Sequence, residues 1–498
     1  MKYYFYILSL FMCIGLNAQL QKLGELSIGK MEYKTSILDA NKNVTGYILY
    51  FNKGLTADES MITYEYIILD KSLNQIANAD FVLPFHKKLE YRLADNHFSE
   101  GNLYTNYRVY HAGKKKYLGY MHVALDAKNK TVIDTQFIRD FEVTPMPTGK
   151  ELGKERNVFT YDTFDRLVTK GEGKNIFHVY THNTTTVTFE NKIKELGIFN
   201  TNSDLVYQYK LEREGFFNMK ESFVLDIKDG KLLSSKIVLK MKGLKAVTEV
   251  DSIYVKDLNA KKNVLKINHH LETLDKGMPQ GYWGQFLDDK MVITTSLVDA
   301  AFNMRGFRRT VYDDKGAKLV DQTIQFKEAL ATLGFGSKKF EDGFRLDFVE
   351  VFNFNDFSSV ILLEKKKLRM DRFGNNKSKT EDYILIHLNE KSEVLGHYVL
   401  EKSKIGQGYD RFLFAQSDVE NNALIIYYED LDLGLLKVKS RNLVVNKFSH
   451  GQLTQEKIPY KTENNYLQFN NAKFGHILIT EYDEKEIPVS MRLERINL

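Results

Sequence analysis

The sequence predicts an all-β chain, and within that class a ring of repeated sheets, a β-propeller of six to eight blades with seven favoured. Three observations carry this. Phe (33) and Tyr (29) are abundant while Pro (6) and Trp (1) are scarce, a balance that suits strands separated by Asn, Asp, Lys and Gly turns. The 498 residues exceed what one ordinary core holds, so several domains or a repeat architecture are required. One unit also recurs along the chain: a strand, an Asp-led turn, and a second strand with apolar residues at fixed offsets.

The clearest copy spans residues 307–326, where Asp313 closes the first strand and Leu319, Val320, Ile324 and Phe326 follow at +6, +7, +11 and +13. The same offsets from Asp70 reach Ile76, Ala77, Phe81 and Leu83, and from Asp226 they reach Leu232, Leu233, Ile237 and Leu239. From Asp126 they reach Val132, Ile133 and Phe137, with Arg139 in the last place. An Asp at a strand end bonds its carboxylate to backbone N–H groups further on and starts a turn. Gly230 and Gly316 supply the positive φ that tight hairpin loops need. Positions +7, +11 and +13 share one face and +6 takes the other, so apolar residues at all four imply a strand covered on both sides.

Weaker copies fill the intervals: a hairpin around Asp39, residues 176–190 turning at Asn183, and residues 252–267 turning near Asp257. Further on, residues 383–400 turn at Asn389 and residues 466–493 turn near Asp483. Residues 145–174 are the least strand-like, opening Pro-Met-Pro-Thr-Gly, and read as a domain boundary or an insertion capping one face. A short helix is expected over residues 327–333. Grouping the strands yields sheets of three or four, about 60–70 residues each, which a radial arrangement buries on both faces. The last group is one strand short, and residues 31–37 would complete it and close the ring. Tandem β-sandwich domains are the alternative. The hairpin is similar to the strand–turn–strand units of β-propeller proteins in general. It lacks a closing Trp-Asp dipeptide and a paired-glycine signature, so the resemblance implies a fold and brings no functional residue.

The N-terminus reads as a processing signal. Lys2 is a charged start, residues 3–16 are apolar, and Leu16-Asn17-Ala18 ends on a small residue, so cleavage before Gln19 is expected. This divides the chain into a signal peptide (1–18) and a repeat domain (19–498). The apolar run is shorter than the roughly 20 residues that span a bilayer. No later segment is apolar enough to cross. Cys13, the only cysteine, raises a lipoprotein reading, but Met12 stands where a small residue belongs. If Cys13 leaves with the leader, the mature chain has no disulfide, thiolate metal site or cysteine nucleophile. Such a chain suits the periplasm or surface of a Gram-negative bacterium. The leader ending Asn17-Ala18-Gln19 and the Tyr/Phe/Lys/Asn-rich composition resemble the large exported β-repeat proteins of Bacteroidota. The formal charge of +5 is spread along the chain. Lys114-Lys115-Lys116 and Lys365-Lys366-Lys367 read as solvated turn tips, and nucleic acid is not an expected partner.

Candidate chemistry is sparse. His178 and His182 lie four apart on one strand face, where two imidazoles could share a metal, but no third ligand stands at a telling spacing. His269-His270, with Glu272 and Asp275 nearby, could meet one ion only from a loop. Residues 277–286 hold the only Trp between glycines. Tyr282 and Trp283 on a loop would offer flat rings for stacking on a sugar or a partner side chain, whereas a core plug between blades is the plainer role for Trp283. Tyr282, Trp283, His269 and His270 are therefore the ligand-binding candidates. The carboxylate pairs Asp288-Asp289, Asp313-Asp314 and Glu341-Asp342 all look like turns. No nucleophile elbow or phosphate-binding glycine loop occurs. No catalytic residue, metal or cofactor is assigned. The expected function is an exported binding or scaffolding module of the cell envelope whose partner is an envelope protein or a glycan. The alternative is a polysaccharide-active hydrolase or lyase with its site in a central funnel, assembled from several blades without a linear motif.

Overall fold

The computed structural model describes residues 20–39, 43–114, 116–139, 142–154, 166–170, 175–185, 192–201, 204–210, 213–214, 218–242, 245–269, 278–299, 303–335, 345–370, 376–402, 411–433, 438–460 and 466–496. Among them the strands form eight sheets, six of four strands and two of five, each an antiparallel meander in chain order. The sheets occupy residues 30–84, 89–144, 166–210, 213–268, 278–325, 345–400, 411–460 and 466–495. The last is completed from the other end of the chain by Leu20–Lys22, whose Gln21 pairs with Met491 in Pro488–Arg495.

Apolar clusters join each sheet to the next. Ile68 and Phe81 of the first pack on Leu103 and Tyr107 of the second, and Tyr120 of the second meets Tyr180 of the third. Ile198 then packs with Leu232, Leu233 with Ile293, Phe307 with Ile361, Leu362 with Ile426, and Val445 with Phe469. Leu478 of the eighth sheet returns to Leu49 of the first. Each sheet thus has two neighbours and the series closes on itself. That is a β-propeller of eight blades. A sandwich sheet would have one partner, so the tandem-sandwich alternative does not hold.

The punctuation that revealed the repeat sits mainly between the third and outermost strands. Asp70 Oδ1 accepts the N–H groups of Ser72 and Asn74 at 2.8 and 2.9 Å, and Asp313 Oδ1 those of Lys315 and Ala317 at 3.0 and 2.7 Å. Asp126 and Asp257 do the same for Asn129 and Ala260, both at 2.8 Å. In the third and sixth blades the residue is Asn: Asn200 accepts from Asp204 at 2.9 Å, and Asn389 from Lys391 and Glu393 at 3.0 and 2.8 Å. The short helix expected over 327–333 is present as Phe326–Ala329 followed by a 3-10 turn, Ala331–Leu333.

Several expectations need correction. The favoured count of seven falls one short. The third sheet departs from its expected course, since Phe177–Thr185 is one strand with Asn183 in mid-ladder opposite Lys194, whereas the Asn389 turn stands where the sequence puts it. Asp226 also lies within a strand, Asn218–Lys228, and its turn is Asp229-Gly230. The closing strand is Leu20–Lys22, while Lys30–Leu38 begins the first blade. The +6 residues on outer strands are not covered on their own side: Ile76, Val132 and Leu319 are 59, 47 and 51% exposed, because neighbouring blades splay apart toward the rim. Lys365-Lys366-Lys367 lies in the strand Ser359–Met370, where Lys365 pairs with Glu381 at 2.9 Å. Within residues 145–174, Gly149–Lys154 is helical with Leu152 buried in the first cluster, and Arg166–Lys170 is the innermost strand of the third blade.

Ring closure makes a direct prediction. Leu23 follows the latch strand and is 2% exposed in the cluster joining the eighth and first blades. Leu23→Ala is expected to cost about 2–5 kcal/mol by leaving a cavity there, read as a shift in the urea unfolding midpoint.

Candidate functional site

Three of the four predicted ligand residues, Tyr282, Trp283 and His269, are held inside the ring. Tyr282 and Trp283 lie in Met278–Leu287, the innermost strand of the fifth blade, and not on a loop. Adjacent strand residues point to opposite faces, so the dipeptide reaches both neighbours. Tyr282 enters the cluster shared with the fourth blade, its ring 5.6 Å from Phe223 and 6.3 Å from His269. Trp283 stacks on Phe348 of the sixth blade at 4.5 Å and 25°. His269 is fully buried with both ring nitrogens engaged, Nδ1 to Tyr312 Oη at 2.8 Å and Nε2 to Thr295 Oγ1 at 3.2 Å. Burial, and then the Arg308 charge, lower its pKa to about 3, so the imidazole is neutral. Arg308 forks onto Asp321 at 2.6 and 2.8 Å and donates to the His269 carbonyl. His270, Glu272 and Asp275 lie outside the described residues, as do Glu341 and Asp342.

His178 meets different company from that expected. Its strand neighbour His182 pairs along the backbone with Glu195, and the imidazole of His178 instead faces His122 of the second blade, with ring centroids 4.3 Å apart. His122 Nδ1 bonds Asn106 Oδ1 at 2.6 Å, Asn106 Nδ2 donates to Thr169 Oγ1 at 3.1 Å, and Thr169 Oγ1 bonds His178 Nδ1 at 3.0 Å. Tyr104 stacks over His122 at 6.2 Å. Burial lowers the His122 pKa to about 4 and holds His178 well below the usual range, with the His122 and His97 charges adding to the latter. No group of three or more His, Cys, Asp or Glu side chains among the described residues could hold a metal ion. This buried chain of polar groups ties the second and third blades together.

An open concavity lies elsewhere among the described residues, where the eighth, first and second blades meet. It is a cleft of about 530 Å³ walled by Tyr33, Phe85, Tyr91 and Tyr482, with Glu32 and Lys34 among its polar groups. Tyr33 and Lys34 are adjacent on Lys30–Leu38, the innermost strand of the first blade, and turn to opposite neighbours. Tyr33 Oη donates to the Tyr91 carbonyl at 3.2 Å, and Tyr91 Oη to the Pro84 carbonyl at 2.6 Å. Burial raises the pKa of Tyr33, Tyr64 and Tyr91, so all three stay protonated donors. Glu32 accepts from Asn52 Nδ2 at 2.8 Å, and Glu90 pairs with Arg92 at 2.7 Å. Lys34 Nζ donates to Thr480 Oγ1 of the eighth blade and lies 5.6 Å from the Tyr482 ring centroid. Desolvation alone lowers its pKa to about 7, with no carboxylate opposing it. Sequence reasoning missed this site because residues 30–34, 85–91 and 482–488 converge only when the ring closes.

The buried histidines set a pH dependence with a definite sign. Unfolded histidines titrate near 6.5, while folded His122 stays neutral until about pH 4, so between those values the unfolded chain binds more protons. Stability therefore falls as the pH drops through this window, by about 1.4 kcal/mol per pH unit for each such histidine. His122→Gln is expected to flatten this acid limb in Tm measured against pH, with the difference from wild type vanishing in slope above pH 7.

No protein-family model and no curated protein matches the chain. Solved structures similar to it include an ulvan lyase bound to a -[GlcA(1-4)Rha3S]- saccharide, at 8% identity over 81% of this chain and 91% of that one (TM-score 0.40). The polysaccharide lyase Uly1 is similar at 9% identity over 94% and 100% of the two chains (TM-score 0.41). The β-propeller domain of the Trilobed protease from Pyrococcus furiosus is similar at 12% over 83% and 97% (TM-score 0.34). At these scores the neighbours' substrates and chemistry do not extend to this chain.

Proposed function

We propose that this propeller is an exported, non-catalytic binding module of a bacterial cell envelope that takes a glycan in the cleft between the eighth, first and second blades. The observation that carries the reading is the cleft wall itself. Tyr33, Phe85, Tyr91 and Tyr482 bring aromatic rings to one concavity of about 530 Å³, a volume in the range of small-ligand sites. Aromatic rings stack on the apolar faces of sugar rings, while fixed polar groups orient the hydroxyls. Tyr33 and Tyr91 are held by main-chain acceptors, so the wall is in place before a ligand arrives and little ordering entropy is lost on binding. The leader expected at residues 1–18, and the cysteine-free chain its removal would leave, support the envelope setting.

A second reading, a hydrolase or lyase acting on the same polysaccharide, draws on Lys34. An amine with a pKa of about 7 at the cleft wall is suited to general-base work at neutral pH.

The test is glycan-array screening followed by calorimetry on the chain from Gln19 onward. Phe85→Ala and Tyr482→Ala are each expected to weaken the best glycan ligand by about tenfold, roughly 1.4 kcal/mol, with Tm little changed. Unchanged affinity in both variants would remove the cleft as the site. New reducing ends or unsaturated sugars on incubation, lost in Lys34→Met, would select the enzyme.

A further inference from the structure

Lys30 and Lys34 are the cations that line the cleft, and Lys34 is the one held against the eighth blade. Its amine meets the Thr480 hydroxyl and the Tyr482 ring, and no carboxylate lies within ion-pair distance of it among the described residues, whereas Lys53, Arg92 and Lys402 each hold one at 3.0 Å or less. Thr480 is fully buried, so its hydroxyl is a fixed anchor. The side chain that leaves Lys30–Leu38 toward the eighth blade lines the cleft on one side and a second, narrow cavity with Ser36, Tyr47 and Asn470 on the other. An ammonium placed there loses water and gains no counter-charge, which favours the neutral amine. A neutral, desolvated and oriented amine open to a cavity is a nucleophile.

The geometry points to Lys34 as a covalent capture site for a small carbonyl compound, an aldehyde or α-keto acid, that enters the cleft and forms a Schiff base with its ε-amine. The nitrogen lone pair attacks the carbonyl carbon, a C–N bond forms and the carbonyl π pair becomes an alkoxide. The alkoxide takes up a proton while the nitrogen loses one. The carbinolamine then expels its oxygen as water, leaving C=N. No oxidant or reductant is consumed. Tyr33 and Tyr91 stay protonated because burial raises both pKa values, so the aromatic wall carries no phenolate charge. The inference rests on the cleft being the binding site, but it concerns the amine and not the glycan.

The test is site-resolved reductive trapping on the folded chain. Glyoxylate or pyridoxal is added with cyanoborohydride at pH 7, and the secondary amines are mapped by peptide mass spectrometry. An ordinary lysine is neutral in roughly one part in 3,000 at pH 7, so Lys34 is expected to label at least about tenfold faster than the median exposed lysine, with a rate midpoint near pH 7. Labelling of Lys34 no faster than that of exposed Lys391, or a midpoint above pH 9, would overturn the proposal. The wild-type map needs no variant. Thr480→Val, which keeps the shape and removes the anchor, is expected to slow Lys34 several-fold while leaving Lys391 unchanged. Glycan affinity measured on the same preparation separates the two ideas: binding without Lys34 labelling sinks the amine alone, and labelling without glycan binding sinks the glycan reading alone.

Discussion

The constraint on which the molecule depends is that no blade has a core of its own. A four-stranded meander offers two apolar faces and no helix to cover them, so each face must be closed by the next copy. The clusters show this literally. Ile68, Phe81, Leu103 and Tyr107 form one unit from two blades, and Leu49, Leu69, Leu478 and Met491 form another from the two ends of the chain. Without that last cluster the first and eighth blades would each expose an apolar face. The three-residue strand Leu20–Lys22 and the helix behind it, Leu23–Leu26, therefore matter far beyond their length.

The same constraint explains the innermost strands. Near the axis the neighbouring blades stand close on both sides, and successive residues of one strand serve different neighbours. Tyr33 bonds toward the second blade and Lys34 toward the eighth; Tyr282 packs toward the fourth and Trp283 toward the sixth. Polar groups in such interfaces lose water and must find a partner on the facing blade. Arg309 does so by donating to Ser392 Oγ and the Phe357 carbonyl, both at 2.7 Å, and burial lowers its pKa to about 10. His122 and His178 do so through Asn106 and Thr169. Their perturbed protonation follows from the packing of the ring and is not by itself a sign of chemistry.

This separates what was legible in the sequence from what was not. The turns were legible, because a carboxylate that caps a turn acts within four residues: Asp70, Asp126 and Asp313 all do so. Asp226 met the same pattern by accident. It spends one oxygen on Phe286 N of the next blade at 2.9 Å, a bond between residues 60 apart that no local pattern signals. The Trp283 core role was also within reach of sequence reasoning, since a lone large ring between repeated sheets has few other places to go. The cleft was out of reach. Tyr33, Tyr91 and Tyr482 are ordinary strand tyrosines among 29, and their convergence depends on how many blades the ring holds.

The placement of the cleft has a consequence for how function and folding are linked. Its walls come from the first two blades and from the turn of the last, on either side of the seam that Leu20–Lys22 closes. A site within one blade would survive local opening of the ring; this one would not, because Thr480 and Tyr482 would leave Lys34 as the eighth blade moved away. Opened, Lys34 would return to water and regain an ordinary ammonium, since nothing but desolvation holds its pKa down. Closure of the seam thus does two things at once: it completes the aromatic wall and it strips the amine of water. A ligand that bridges the first and eighth blades would in turn favour the closed ring, by the same linkage through which any native-state ligand stabilises its protein.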